Sequence, residues 1–250
     1  MTVVVAYKYA ANPQDASVGA DGQVDWSRAK STVSEYDPVA IQLGRNVADA
    51  AGTELVGVSV GGKDVASSMA KKNAMSKGLD RALVVADDDA KTWNLTKVAS
   101  ALAGLVGGID GADILLAGDS SIDEGAKMVP ALVAGFLGWP CFQSVVAVAK
   151  TDSGYEITQN VPGGRRTVAV DGPVVVAASS DAVSPKVPSM KDILASGKKP
   201  FETAEAAPVE AGVTVTGRAK PETKTRKNKI LTGDSAAADL VAALRADGVL

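Results

Sequence analysis

The chain has 250 residues, enough for one large α/β domain or a domain with an appended segment. It contains no histidine, which excludes Ser–His–Asp and Cys–His chemistry and His-ligated zinc, and its single cysteine, Cys141, excludes an intramolecular disulfide. A net charge of −3 offers no overall attraction to nucleic acid or an anionic membrane, and a 46% hydrophobic content with only 4% aromatics suits helices packed on a parallel sheet.

Residues 2–7 (TVVVAY) form a β-branched run and predict a first strand. Residues 8–37 are polar with little periodicity, and Asp21-Gly22 predicts a small hairpin there. Asp37 reads as an N-cap with Pro38 at the first helical position; Val39, Leu43 and Val47 form the buried face, and Gly52 ends the helix. Residues 54–60 (ELVGVSV) predict the second strand, 65–76 a helix, 81–86 the third strand and 92–106 a helix. Leu95, Val98, Ala99, Leu102 and Leu105 share one face of that last helix. This alternation predicts a parallel sheet flanked by helices.

The apolar run Ile114-Leu115-Leu116-Ala117 predicts a buried fourth strand, and the Gly-, Ser- and Asp-rich residues 118–125 predict a turn after it. Val129, Leu132, Val133, Phe136 and Leu137 then recur at helical spacing. Pro130 would cost roughly 3 kcal/mol in a helix interior but is tolerated in a first turn. The helix is therefore expected to start near Ala126 or Lys127, leaving the amides of Lys127, Met128 and Val129 unpaired beside the Lys127 side chain. Such a terminus favours an anion, most often a phosphate. On spacing alone, that reading stands level with an ordinary strand–loop–helix turn whose donors are solvated.

After Pro140 the pattern changes. Residues 142–149, 155–159, 166–170 and 174–178 are short β runs that extend the sheet. Residues 184–200 (SPKVPSMKDILASGKKP) predict a Pro-bounded loop with a short helix near 190–195. Residues 201–232 are mostly polar, with a basic run at 220–229, and predict an extended arm that needs a partner surface. Residues 235–246 (SAAADLVAALRA) predict a final amphipathic helix. The division expected is an α/β domain over 1–200 and an arm with a terminal helix over 201–250. The basic run is not interleaved with aromatics, so a solvated or partner-facing arm is favoured over a nucleic-acid contact. No apolar run approaches the ~18 residues of a membrane span, and the expectation is a cytoplasmic chain without membrane insertion.

Several motifs in order carry a resemblance: VVVAYK (3–8), SEYDPVAI (34–41), VSVGGK (58–63), GDSSIDEGAKMVP (118–130) with its trailing LGWP, and SPKVPSMKDIL (184–194) followed by GKKP. The chain resembles the β subunit of electron-transfer flavoproteins, most closely the Fix-type branch, over essentially its full length. The resemblance implies a Rossmann-like parallel sheet of the adenine-nucleotide-binding type, with helices on both faces, additional C-terminal strands and an extended arm. It implies a heterodimer with an α subunit that carries most of the FAD site. It also implies electron transfer from an acyl-CoA-type or other flavoprotein dehydrogenase to a quinone reductase or similar acceptor, with no catalytic residue set in the β subunit. The β subunit's own pocket would hold AMP, or a second FAD in bifurcating relatives.

Carried over by position, that pocket would be lined by Ala6, by Ser34, Glu35, Tyr36 and Asp37, and by Val60. It would be closed by Gly118, Asp119, Ser120, Ser121, Asp123, Glu124, Gly125, Ala126, Lys127, Met128 and Val129. Glu124 would lie near a ribose, and the backbone at 127–129 would hold the phosphate. Met190 would be an apolar anchor for the dehydrogenase. The chain departs from the family where Lys127-Met128-Val129-Pro130 replaces an Asn- or Ala-Gln-Thr/Val-Gly run, and where Asn160 stands in place of the respiratory type's Glu. Two other readings have weaker support. The run Ser59-Val60-Gly61-Gly62-Lys63-Asp64 matches an adenylylating pyrophosphatase loop poorly, since Val65 stands where a Ser belongs. An adenine-nucleotide-binding regulatory module of the stress-protein kind would not need the β-rich C-terminal part and the arm.

Overall fold

A computed structural model describes residues 1–206, 216 and 225–250. The chain divides into two units, Met1–Thr216 and Gly217–Leu250. The first unit begins with β1 (Thr2–Ala6), which leads into an excursion holding β2 (Tyr9–Ala11), β3 (Ser17–Val18), β4 (Val24–Asp25) and β5 (Ser31–Val33). Strand β2 pairs with β5, and β3 pairs with β4 around Gly22, whose φ of 78° is the left-handed conformation glycine tolerates. Helix α1 (Asp37–Ala51) follows, then β6 (Leu55–Gly61), α2 (Ser68–Met75), β7 (Arg81–Ala86), α3 (Leu95–Gly107), β8 (Ala112–Gly118) and α4 (Val129–Leu137). The remainder is β9 (Cys141–Lys150), β10 (Gly154–Val161), β11 (Gly164–Asp171), β12 (Val174–Ala178), α5 (Met190–Ser196) and β13 (Phe201–Ala204).

One nine-stranded sheet runs in the order β11-β10-β9-β12-β8-β1-β6-β7-β13. Every pairing from β9 to β13 is parallel; only β9-β10 and β10-β11 are antiparallel. This is the expected Rossmann-like α/β fold. Alternate residues of β1 go to opposite cores. Val3, Val5 and Tyr7 pack with Ile41, Leu43 and Val47 of α1 and Met75 of α2. Val4 and Ala6 pack with Leu102 and Val106 of α3 and Val133 of α4. Strands buried on both faces need the continuous Val and Leu runs that β1 and β8 have. In α1, Gly44 lets the helix lie close to the sheet, since a Cβ there would come 3.0 Å from Leu55 Cδ1.

Several boundaries differ from expectation. The tail of the β-rich part does not simply append: β12 returns between β8 and β9, because its five residues are all buried and require neighbours on both sides. Residues 201–204, expected to open the arm, are the edge strand β13 beside β7. Asp37 does not cap α1; Tyr36, in helical conformation, precedes it, and Asp37 is the first helical residue with its side chain turned inward. Helix α4 starts at Val129 rather than at 126 or 127, because Lys127 has a φ of 56° and breaks the helical path. It buries the Pro130–Val133–Ala134 stripe, which leaves Phe136 exposed.

In the second unit, α6 (Ala236–Ala246) is the expected final helix; Ser235 Oγ donates to Asp239 Oδ2 at 2.9 Å, and Lys227 pairs with Asp247. Much of the expected arm, 207–215 and 217–224, lies outside the described residues, and of the basic run only 225–229 is described. Among the described residues, no helix is long and apolar enough to cross a membrane.

Candidate functional site

The order of strands reverses at β1: the chain leaves it toward β6 and β7, then returns on its other side as β8. In open parallel sheets, a crevice at the carboxyl ends of such strands is the usual ligand site. A cleft of about 480 Å³ lies there. Its lining includes residues 6–8, the loop 118–130 and the apolar side chains of Val60, Trp93, Leu95, Val98 and Leu102.

Of the residues expected to line a pocket, the cleft brings together Ala6, Asp37, Val60, Gly118, Asp119, Ser120, Ser121, Asp123, Glu124, Ala126, Lys127, Met128 and Val129. Ser34, Glu35, Tyr36 and Gly125 are not on its surface. Ser34 is fully buried and instead accepts, through Oγ, the Ile122 amide at 3.2 Å, so it anchors the loop from behind. Tyr36 packs against Gly118. Gly125, at a φ of 64°, shapes the loop, and its amide donates to the Ser121 carbonyl at 3.0 Å. Met190 lies elsewhere, exposed on α5 just after the capping residue Ser189.

The charges at the mouth are paired. Lys8 Nζ lies 2.7 Å from Asp123 Oδ2 and 3.6 Å from Glu124 Oε2. Lys127 Nζ lies 3.5 Å from Asp119 Oδ2, whose other oxygen is buried without a hydrogen-bond partner. Burial alone would raise the Asp123 carboxyl, but the Lys8 ammonium and hydrogen bonds, the Ser121 hydroxyl among them, outweigh it and hold the carboxyl below its ordinary value. Lys91, also on the lining, sits 3.3 Å from Asp88 and 4.0 Å from Asp64, with its side chain against Gly62. The first intrahelical bond of α4 runs from the Leu132 amide to the Met128 carbonyl, so Val129 and Ala131 carry amides with no acceptor inside the helix, and Pro130 has none to satisfy. Lys127, a non-glycine in left-handed conformation, turns the chain into this helix from a loop that lines the cleft.

Asp37 sits beneath the mouth. It is 5% exposed, and its Oδ2 accepts the Lys8 amide at 2.6 Å. The Gly118 amide donates to the same carboxylate. Burial pushes this carboxyl up to about 7, against the pull of both amides and of the Lys8 charge and with the help of the Asp123 charge. Nearby, the Tyr7 hydroxyl is buried without a partner and is raised by burial and by Asp37.

Sequence reasoning did not place Lys8, Tyr9, Lys91, Trp93, Leu95, Val98 or Leu102 at the cleft. Lys8 had a signal, as the residue that closes the VVVAYK motif. The apolar members had none, because the N-terminal end of α3 reads like any other buried helix face. A family model described as "Electron transfer flavoprotein domain" matches residues 21–209.

Proposed function

The chain belongs to the electron transfer flavoprotein domain family, which assigns it an electron-transfer flavoprotein role, and from that premise we propose that it is the β subunit of a heterodimeric carrier of the Fix-type branch. In this reading the chain is not an enzyme by itself. Paired with an α subunit that carries most of an FAD site, it passes electrons from a flavoprotein dehydrogenase to a quinone reductase or similar acceptor. The single observation that supports a nucleotide-holding subunit is the cleft at the carboxyl ends of β1 and β8, whose lining combines basic groups and helix-terminal amides with apolar side chains.

The residues present fit an adenylate. Lys8, Lys127 and the amides at the start of α4 suit its phosphate. Val60, Trp93 and Leu102 suit a flat ring. Glu124, beside Lys8, is within the same mouth and suits a ribose hydroxyl. The loss of polar side chains at 127–130 relative to the family leaves backbone donors and one lysine for the anion. A flavin, when bound, would supply the one- and two-electron chemistry. This chain's residues bind, orient and exclude water. AMP and a second FAD share the adenylate recognised here; a second FAD, which we favour from the Fix-type resemblance, would make the pair bifurcating. Met190, exposed with Leu194 on α5, is proposed as the anchor for the dehydrogenase.

Co-expression with an electron-transfer flavoprotein α subunit tests the assignment. A yellow complex that elutes as one species and is reduced by a flavoprotein dehydrogenase is expected. A colourless chain that never associates with such a subunit would overturn it.

A further inference from the structure

Asp37 was carried over as a pocket residue, yet its carboxylate is committed to the protein's own backbone. It accepts the amide of Lys8, the second residue past β1, at 2.6 Å, and the amide of Gly118, the last residue of β8. These two strands flank the point where the sheet order reverses. The approach is close enough to exclude a side chain at Gly118, where a Cβ would come 2.8 Å from Asp37 Oδ1 and 2.8 Å from Tyr36 Cβ.

We propose that Asp37 is the positioning residue of the cleft: its carboxylate clamps the amides of Lys8 and Gly118 together and thereby fixes the two strand ends between which the nucleotide binds. The clamp rests on the reading of the cleft as a nucleotide site only for its consequence, not for its existence. An ionised carboxylate is the stronger acceptor of both amides, but burying its charge costs more than those two bonds return, which is why the folded carboxyl titrates high. The charged and titratable groups facing Asp37 are Lys8 and Asp123 from the two sides of the mouth, Tyr7 at the end of β1, and Lys77 just past α2. Burial lifts the carboxyl's titration in the closed clamp to near neutrality, above its value once the clamp opens to water, so the clamp loosens as pH rises through about 7.

The test uses the full chain in complex with its α subunit, stripped of nucleotide. Hydrogen-exchange protection of the Lys8 and Gly118 amides is measured at pH 6 and pH 8, relative to core amides such as those of Val4 and Leu115. The expected result is protection about tenfold lower at pH 8 than at pH 6 in the wild type, and pH-independent protection in Asp37→Asn. The wild-type comparison needs no variant and decides the matter even if Asp37→Asn fails to fold. Equal protection at both pH values would overturn the clamp. AMP binding is titrated alongside, and the readout is the difference between the two proteins, since the phosphate itself titrates near 6. The wild type should gain several-fold less affinity between pH 6 and 8 than the variant. Identical AMP profiles with identical amide protection would overturn the proposal. A protection change with no AMP binding at any pH would instead refute the nucleotide reading and leave the clamp standing.

Discussion

Lys8 and Asp123 meet at 2.7 Å across the mouth of the cleft, joining the chain that leaves β1 to the loop that leaves β8. The contact brings a cation to the site from a residue that the family motif contains but no helical or strand pattern marks. Replacing it by Lys8→Met removes the charge and leaves Asp123 and Glu124 unopposed. Adenylate affinity should fall by about tenfold or more, because a charge-assisted contact to phosphate is lost and two like charges remain. The pair is partly exposed, so unfolding free energy should change by less than about 1 kcal/mol. Isothermal titration with AMP and urea unfolding of the same preparation check both halves.

Gly118→Ala should act on both stability and binding. The added methyl would meet Asp37 Oδ1, on a buried carboxylate held by the Lys8 amide, and the Tyr36 backbone and Cβ, so little can swing aside. Overpacking of this kind costs about 1–3 kcal/mol. Urea unfolding should show that loss, and AMP titration should show weaker binding because the loop begins at this residue.

The buried Asp37 carboxyl gives stability a distinctive pH dependence. Its folded value, about 7, lies above the ordinary value of 3.8. The folded state therefore holds the proton more tightly, and the contribution is full below about pH 4 and lost as pH rises through about 7. The difference in unfolding free energy between the wild type and Asp37→Asn should shift by about 4 kcal/mol across that window, against the wild type at high pH. Chemical unfolding at several pH values reads this. A parallel pair of curves would contradict it.

A contrasting variant addresses the opposite end of the strands. Arg45 Nη1 lies 2.7 Å from Asp80 Oδ2, and the same oxygen accepts the Leu55 amide at 2.8 Å. Arg45 also donates to the Thr53 and Gly78 carbonyls. Arg45→Ala should destabilise by about 1–3 kcal/mol and leave AMP affinity unchanged. These contacts hold the entry of β6 and β7 rather than the carboxyl-end cleft.

What could be read in the sequence follows from how each feature is encoded. The central strands were legible because residues buried on both faces must be continuously apolar, as in Val3-Val4-Val5 and Ile114-Leu115-Leu116. The α1 stripe of Val39, Leu43 and Val47 and the terminating Gly52 were legible for the same kind of local reason. The place of β12 was not, because a five-residue apolar strand carries no record of which neighbours it will pair with. The start of α4 was misplaced because Lys127 adopts a left-handed conformation that its type rarely takes. At the site, the loop 118–129 was legible from its composition. The roles of Ser34 and Asp37, facing the loop and strand backbone rather than a ligand, depend on tertiary contacts. Trp93, just after the 3-10 turn at Asp88–Thr92, and Leu102 of α3 join the apolar lining through tertiary packing that their local sequence does not record.

The most direct measurement is the nucleotide content of the proposed heterodimer, purified after co-expression. After denaturation and extraction, chromatography should release, beyond the α subunit's FAD, one adenine-containing nucleotide per copy of this chain: AMP for a simple carrier, a second FAD for a bifurcating one. Lys8→Met and Gly118→Ala should each lower that second yield while leaving the first intact. A single FAD per heterodimer, with neither AMP nor further flavin at any nucleotide concentration supplied, would contradict a nucleotide in the β1–β8 cleft.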